Sequence, residues 1–178
     1  NQGNNVFTEM GGSDLVGVQN SSLSLGDYDF DGDLDFILLG EKDTYNKLCR
    51  IYKNHSYTTN NPPLAPNNLS SEINDTITNL SWEKSTDDHS SQNALSYNGY
   101  LYKVGGDTIW SSMSDINSGF RRIPALGNAS LNTSWAIKNL SSGNYHWSVQ
   151  AIDNSYSGSP FAPEQLISIF GVDFVADT

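Results

Sequence analysis

The chain has 178 residues and a formal net charge of −11, from 20 Asp and Glu against 9 Lys and Arg. That balance argues against a nucleic-acid partner, whose phosphates call for a basic face, and the length admits one large domain or two small ones. No apolar run is long enough to span a membrane as a helix, and with Cys49 as the single cysteine no internal disulfide can form.

The opening, Asn1-Gln2-Gly3-Asn4-Asn5-Val6-Phe7, reads as a turn leading into a short strand. It starts abruptly, as an excerpt of a longer protein would, so the absence of a signal peptide says nothing about the parent. Then comes the densest chemistry in the chain, Gly26-Asp27-Tyr28-Asp29-Phe30-Asp31-Gly32-Asp33-Leu34-Asp35. Alternate side chains of an extended segment point the same way, so these carboxylates would crowd and repel unless a cation sat among them. Calcium suits, because it takes six to eight oxygen ligands in a flexible shell.

The spacing sharpens the reading. With Asp27 as loop position 1, Asp29, Asp31 and Asp35 fall at positions 3, 5 and 9, and Gly32 at position 6, where a calcium loop turns sharply. Asp33, at position 7, would offer its backbone carbonyl. Position 12 is Leu38 instead of the bidentate Glu of an EF-hand. The flanks are not helical either: Leu23-Ser24-Leu25 alternates, and Phe36-Ile37-Leu38-Leu39 is a short apolar run ending at Gly40. The expectation is strand, calcium loop, strand. The bland alternative is a solvated acidic turn. Magnesium fits less well, since it resists dehydration and rarely uses an all-protein cage.

Leu48 to Tyr52 reads as a further strand, with Cys49 expected as a small buried core residue. Asn54 then stands before a turn as Asn1 does, which points to a repeat unit. The run Leu25 to Leu38, followed by Arg50-Ile51-Tyr52-Lys53-Asn54, resembles an FG-GAP/VCBS-type repeat, the calcium-binding blade of integrin-like β-propellers. The resemblance covers about a third of the chain. It implies that Asp27, Asp29, Asp31 and Asp35 bind calcium by side chain and Asp33 by its carbonyl. A propeller needs several blades, so residues 1–60 are expected to be the last blade of a longer array, packed against neighbouring blades of the parent.

Residues 61–66 include Pro62, Pro63 and Pro66 and read as a semi-rigid linker. Residues 67–170 read as a β-sandwich, with strand candidates at 76–82, 97–104, 134–140, 145–152 and 164–169 separated by Gly, Asn, Asp and Ser clusters. In Tyr145 to Ala151 the alternation places Tyr145, Trp147, Val149 and Ala151 inward and His146, Ser148 and Gln150 outward. Leu140-Ser141-Ser142-Gly143-Asn144-Tyr145 looks like a tyrosine corner. With Trp82 on an early strand and Pro66 at the entry, this half resembles a fibronectin type III domain. Its middle, residues 107–123, is unusually long. With Gly119-Phe120-Arg121-Arg122-Ile123-Pro124, Gly127-Asn128 and Trp135, it resembles a variant found after FG-GAP repeats in secreted bacterial proteins. Residues 171–178 resemble the opening of a further module, PKD-like or another β-sandwich.

Other candidate sites weigh less. Asp87-Asp88-His89 could be a second metal cluster but fits a polar connecting loop better. His146 has no nucleophile or carboxylate placed near it by sequence. Tyr100, Tyr102 and Trp110 could form an aromatic binding strip, against the plainer reading of sandwich packing. Neither a Gly-x-Ser-x-Gly elbow nor a phosphate-binding glycine loop occurs. Gly105-Gly106 reads as a hairpin turn.

The sequence therefore predicts an all-β chain: one β-propeller-type blade plus a fibronectin type III-like β-sandwich, with calcium as the cofactor. The expected role is non-enzymatic. It is an extracellular, secreted or cell-surface module that binds protein or carbohydrate partners. The alternative is a non-catalytic accessory region of a secreted polysaccharide hydrolase or peptidase. A dockerin or thrombospondin-type repeat would need a second loop copy or cysteines that the sequence lacks.

Overall fold

The computed structural model describes residues 15–29, 31, 33–55, 60–121 and 123–170. Among them every regular helix or strand element is a β-strand, so the all-β expectation holds. The readings placed on residues 1–14 and 171–178, and the turn at Gly32, lie outside the described residues.

The first sheet runs β1 (Gln19–Gly26), β2 (Asp35–Glu41), β3 (Lys47–Tyr52), antiparallel and in that order. The acidic stretch joins β1 to β2. Asp43 turns the chain into β3: its carboxylate accepts the amides of Tyr45 at 3.0 Å and Asn46 at 3.1 Å. Residues paired across a ladder share a face. Ile37 pairs with Ser24 and Ile51, and Phe36 with Leu25 and Tyr52. One face thus carries Ile37, Leu39, Cys49 and Ile51. The other carries Leu23, Leu25, Phe36, Leu38, Leu48 and Tyr52, with the Phe36 and Tyr52 rings stacked at 4.9 Å. An antiparallel sheet normally gives one face to water, whereas this one carries apolar side chains on both, beside Ser22 and Ser24 on the first face and Arg50 on the second. Cys49, expected in a core, is exposed. It sits on an edge strand of a sheet that contributes nothing to the buried hydrophobic cluster among the described residues.

The remaining strands are β4 (Ser70–Asn74), β5 (Ile77–Ser81), β6 (Ser96–Lys103), β7 (Thr108–Trp110), β8 (Ser134–Lys138), β9 (Gly143–Ile152) and β10 (Gln165–Ile169). They form a sheet β4-β5-β8 and a sheet β10-β9-β6-β7. Leu80 and Ile137 from the first, with Trp82 just beyond the end of β5, meet Tyr97, Leu101, Tyr145, Trp147 and Val149 from the second in one core. Trp82 packs between Tyr97 at 5.7 Å and Trp147 at 6.3 Å, and Trp110 meets Trp135 edge-on at 3.8 Å. A Cβ at Gly99 would fall 2.2 Å from the Trp110 ring, so β6 needs glycine there. The Tyr145 hydroxyl donates to the Ser141 carbonyl at 2.8 Å, closing the tyrosine corner. Two facing sheets in this order, with that corner, make a fibronectin type III-like sandwich.

The alternation expected in β9 is present, but its far face is not simply exposed. Ser148 and Gln150 are fully buried, and Ser148 donates to the Ala162 carbonyl at 2.6 Å. Gln150 donates to the carbonyls of Gly119 at 2.9 Å and Ser159 at 2.7 Å, and its own amide oxygen accepts from Asn98 at 2.9 Å. Arg121 donates to the carbonyls of Ile123 and Ala125. The long middle stretch is thus a lid of irregular chain held on the sheet by buried polar groups, which require such partners.

Residues 60–66 carry no regular structure and are bonded to the sandwich. Asn60 donates to the buried Asp153 at 2.8 Å and Asn61 to Asp88 at 2.7 Å. The Leu64 amide donates to the Thr86 carbonyl at 2.9 Å, the Ser85 hydroxyl donates back to the Leu64 carbonyl, and Pro63 and Pro66 are buried.

Replacing Tyr145 by Phe removes the corner bond and leaves a carbonyl short of its donor. The expected loss is about 1–2 kcal/mol, read as a lowered urea midpoint with an unchanged slope.

Candidate metal centre

The acidic loop leaves β1 at Gly26 and enters β2 at Asp35. Asp35 is buried to 1% exposure. Its two oxygens accept the amide of Tyr28, at the start of the loop, and the amide of Asn54, beyond the end of β3, each at 2.8 Å. Within the loop Asp27 accepts the amide of Asp31 at 3.2 Å, and Asp31 accepts that of Asp33 at 3.1 Å. These side-chain-to-amide bonds fold the segment back on itself and take the place of ladder hydrogen bonds.

The result is a group of three carboxylates. One oxygen each from Asp27, Asp29 and Asp35 lie within 4.8 Å of one another. Two calcium–oxygen bonds of about 2.4 Å allow at most ~4.8 Å between their oxygens, so each pair of these oxygens is close enough to be bridged by one ion, and oxygen donors are what a hard cation takes. Of the five acids singled out by spacing, the structure brings these three together. The carboxylates of Asp31 and Asp33 stand outside the group.

One neighbour of the group was not singled out by the sequence. The Lys53 ammonium lies 2.8 Å from Asp29 Oδ2 and 5.6 Å from the centre of the Tyr28 ring. The Lys53 hydrogen bond holds the Asp29 carboxyl below the ordinary range and, reciprocally, raises the Lys53 ammonium. The signal was present in sequence as the lone cation of Tyr52-Lys53-Asn54, but nothing local says that it crosses back to the loop.

The lesser candidates resolve differently. Asp87 turns the 87–90 loop by accepting the amides of His89 and Ser90, and Asp88 holds Asn61 and the His89 ring. None of these belongs to the three-carboxylate group. Trp110 is buried in the core, away from Tyr100 and Tyr102 on the far face of β6. There Glu164, which sequence did not connect to this patch, accepts both tyrosine hydroxyls, at 2.9 and 3.3 Å, and pairs with His146 at 2.6 Å. Burial first, then the Glu164 carboxylate, pushes the Tyr100 phenol well up.

No protein-family model matches the chain, and no curated protein matches it. Solved structures do. The third fibronectin III domain of human KIAA0343 protein is similar at 14% identity and a TM-score of 0.44, over 71% of this chain and 98% of that one. The chicken CNTN1 FN1-FN3 domains are similar at 13% identity and a TM-score of 0.44, over 80% of this chain and 45% of that one. Domains d3-d4 of the rat CD45 extracellular region give 11% identity and a TM-score of 0.43, over 92% and 79%. The match thus spans under half of the chicken chain. Among the described residues, no helix is long and apolar enough to cross a membrane.

Two outcomes follow from this geometry. Asp35→Ala strips a buried acceptor from two amides, and hydrogen exchange at Tyr28 and Asn54 is expected to quicken by roughly 10- to 100-fold. In a carboxyl-carbon NMR titration, Asp29 is expected to titrate below the ordinary 3.8 and to return toward it in Lys53→Met. A lowered folded value means that the ion pair stabilises above the unfolded pKa and is lost as pH falls through the folded one.

Proposed function

We propose that the chain is a calcium-binding structural or adhesion module of a larger extracellular, secreted or cell-surface protein, acting without catalysis and presenting its sandwich to protein or carbohydrate partners. The carrying observation is the convergence of Asp27, Asp29 and Asp35 on a loop with calcium-type spacing. In this reading Asp27, Asp29 and Asp35, already together, hold calcium by side chain, and Asp31 joins them by its side chain and Asp33 by its carbonyl when the ion binds. The ion neutralises like charges and stiffens the β1–β2 connection. The apolar side chains on both faces of the β1–β3 sheet support the further reading of residues 1–60 as one FG-GAP/VCBS-type propeller blade flanked by others, because a blade buries both faces against its neighbours. Residues 61–66 then link it to the sandwich of 67–170, and 171–178 open the next module.

Calorimetric titration of calcium chloride into the chain tests the metal. Saturable binding in the range of extracellular modules, about 10⁻⁴–10⁻³ M, is expected. At 100 times the dissociation constant the fold should gain about 2.7 kcal/mol, seen as a raised melting temperature. Asp27→Ala with Asp29→Ala should abolish both responses. An unchanged response in that double variant would sink the assignment.

A further inference from the structure

We propose that the Lys53 ammonium is an intramolecular competitor for the cation at the acidic loop, holding Asp29 when metal is absent and releasing it when metal is taken. This rests on the calcium reading above and concerns what regulates that site.

The geometry places Lys53 there by design of the backbone. Asn54, the next residue, donates its amide to Asp35 Oδ1 at 2.8 Å, and this bond pins the segment leaving β3 against the loop. The same pin delivers the Lys53 side chain to Asp29 Oδ2 at 2.8 Å, across 24 residues of sequence. The Tyr28 ring lies beneath the ammonium at 5.6 Å, where its face attracts a cation. Lys53 therefore faces the loop's own acids and one aromatic ring.

An ammonium and a divalent ion cannot both draw fully on one carboxylate, since the two cations repel. The ammonium carries one charge on a flexible four-carbon stem and its side chain is 41% exposed, so it can swing into water at small cost. Two consequences follow. Without metal, three converging carboxylates keep a counter-charge and the loop keeps its shape. With metal, displacement of Lys53 is charged against binding, which moves the site toward high calcium concentrations and makes uptake an exchange of one cation for another.

The test titrates calcium chloride into the full chain and into Lys53→Met, Lys53→Gln and Lys53→Arg, with melting curves in calcium-free and calcium-loaded buffer. The neutral variants are expected to bind about fivefold tighter, as the loss of a competing exposed ion pair implies, while Lys53→Arg stays within about twofold of the parent. In calcium-free buffer the neutral variants should melt no higher than the parent, and their calcium-induced rise should be larger. If the parent binds calcium but both neutral variants bind equally or more weakly, the competitor role is overturned and the calcium reading stands. If the parent shows no calcium response at all, the calcium reading falls and this inference falls with it.

Discussion

Asp35 ends up inside the protein with both carboxylate oxygens committed to backbone amides, those of Tyr28 and Asn54. Those two residues sit on opposite sides of the first sheet's end, one leaving β1 and one leaving β3. A buried carboxylate without donors would be costly, so once Asp35 is placed by β2 both segments must come to it. The acidic loop then has a fixed start and a fixed end. The convergence of Asp27 and Asp29 on Asp35, and the approach of Lys53, are built around these two hydrogen bonds to the backbone.

The sandwich solves a different problem. Its inner face is filled by aromatic and aliphatic side chains around Trp82 and Trp147, where transfer from water is the driving force. The opposite face of β6 and β9 is just as dry at Asn98, Ser148 and Gln150, yet it is closed by hydrogen bonds to an irregular lid. Close packing holds the first face. Directional bonds hold the second, so the lid has one register on the sheet.

Strands were legible in sequence wherever apolar residues alternated or clustered: β1, β2 and β3 cover the segments expected around the acidic loop, and β5, β6, β8, β9 and β10 lie within a few residues of their expected bounds. β4 was not legible because Ser70 to Asn74 is exposed throughout and carries only Ile73 as an apolar signal. β7 is three residues long and hidden in the lid-forming stretch. Cys49 was misjudged because strand pattern reports which side a residue faces and not whether anything covers that side. At the acidic loop the spacing pointed to five acids, but only a fold that leaves strand geometry can bring Asp27, Asp29 and Asp35 together and turn Asp31 to the amide of Asp33. The Lys53 and Glu164 contacts join segments far apart in sequence, and no local pattern encodes such pairs.

The seam along residues 60–66 bears on how tension would travel through the molecule. β4 is an exposed edge strand of five residues, and a pull entering directly at Ser70 would peel it from β5 one bond at a time. The bonds from Asn60 to Asp153, Asn61 to Asp88 and Leu64 to Thr86 meet that pull first. They anchor the incoming chain to loops after β5 and β9, so the load enters the sandwich at several points and the weakest strand is shielded. The proline-containing segment is thus fastened to the sandwich at three points before the first strand begins.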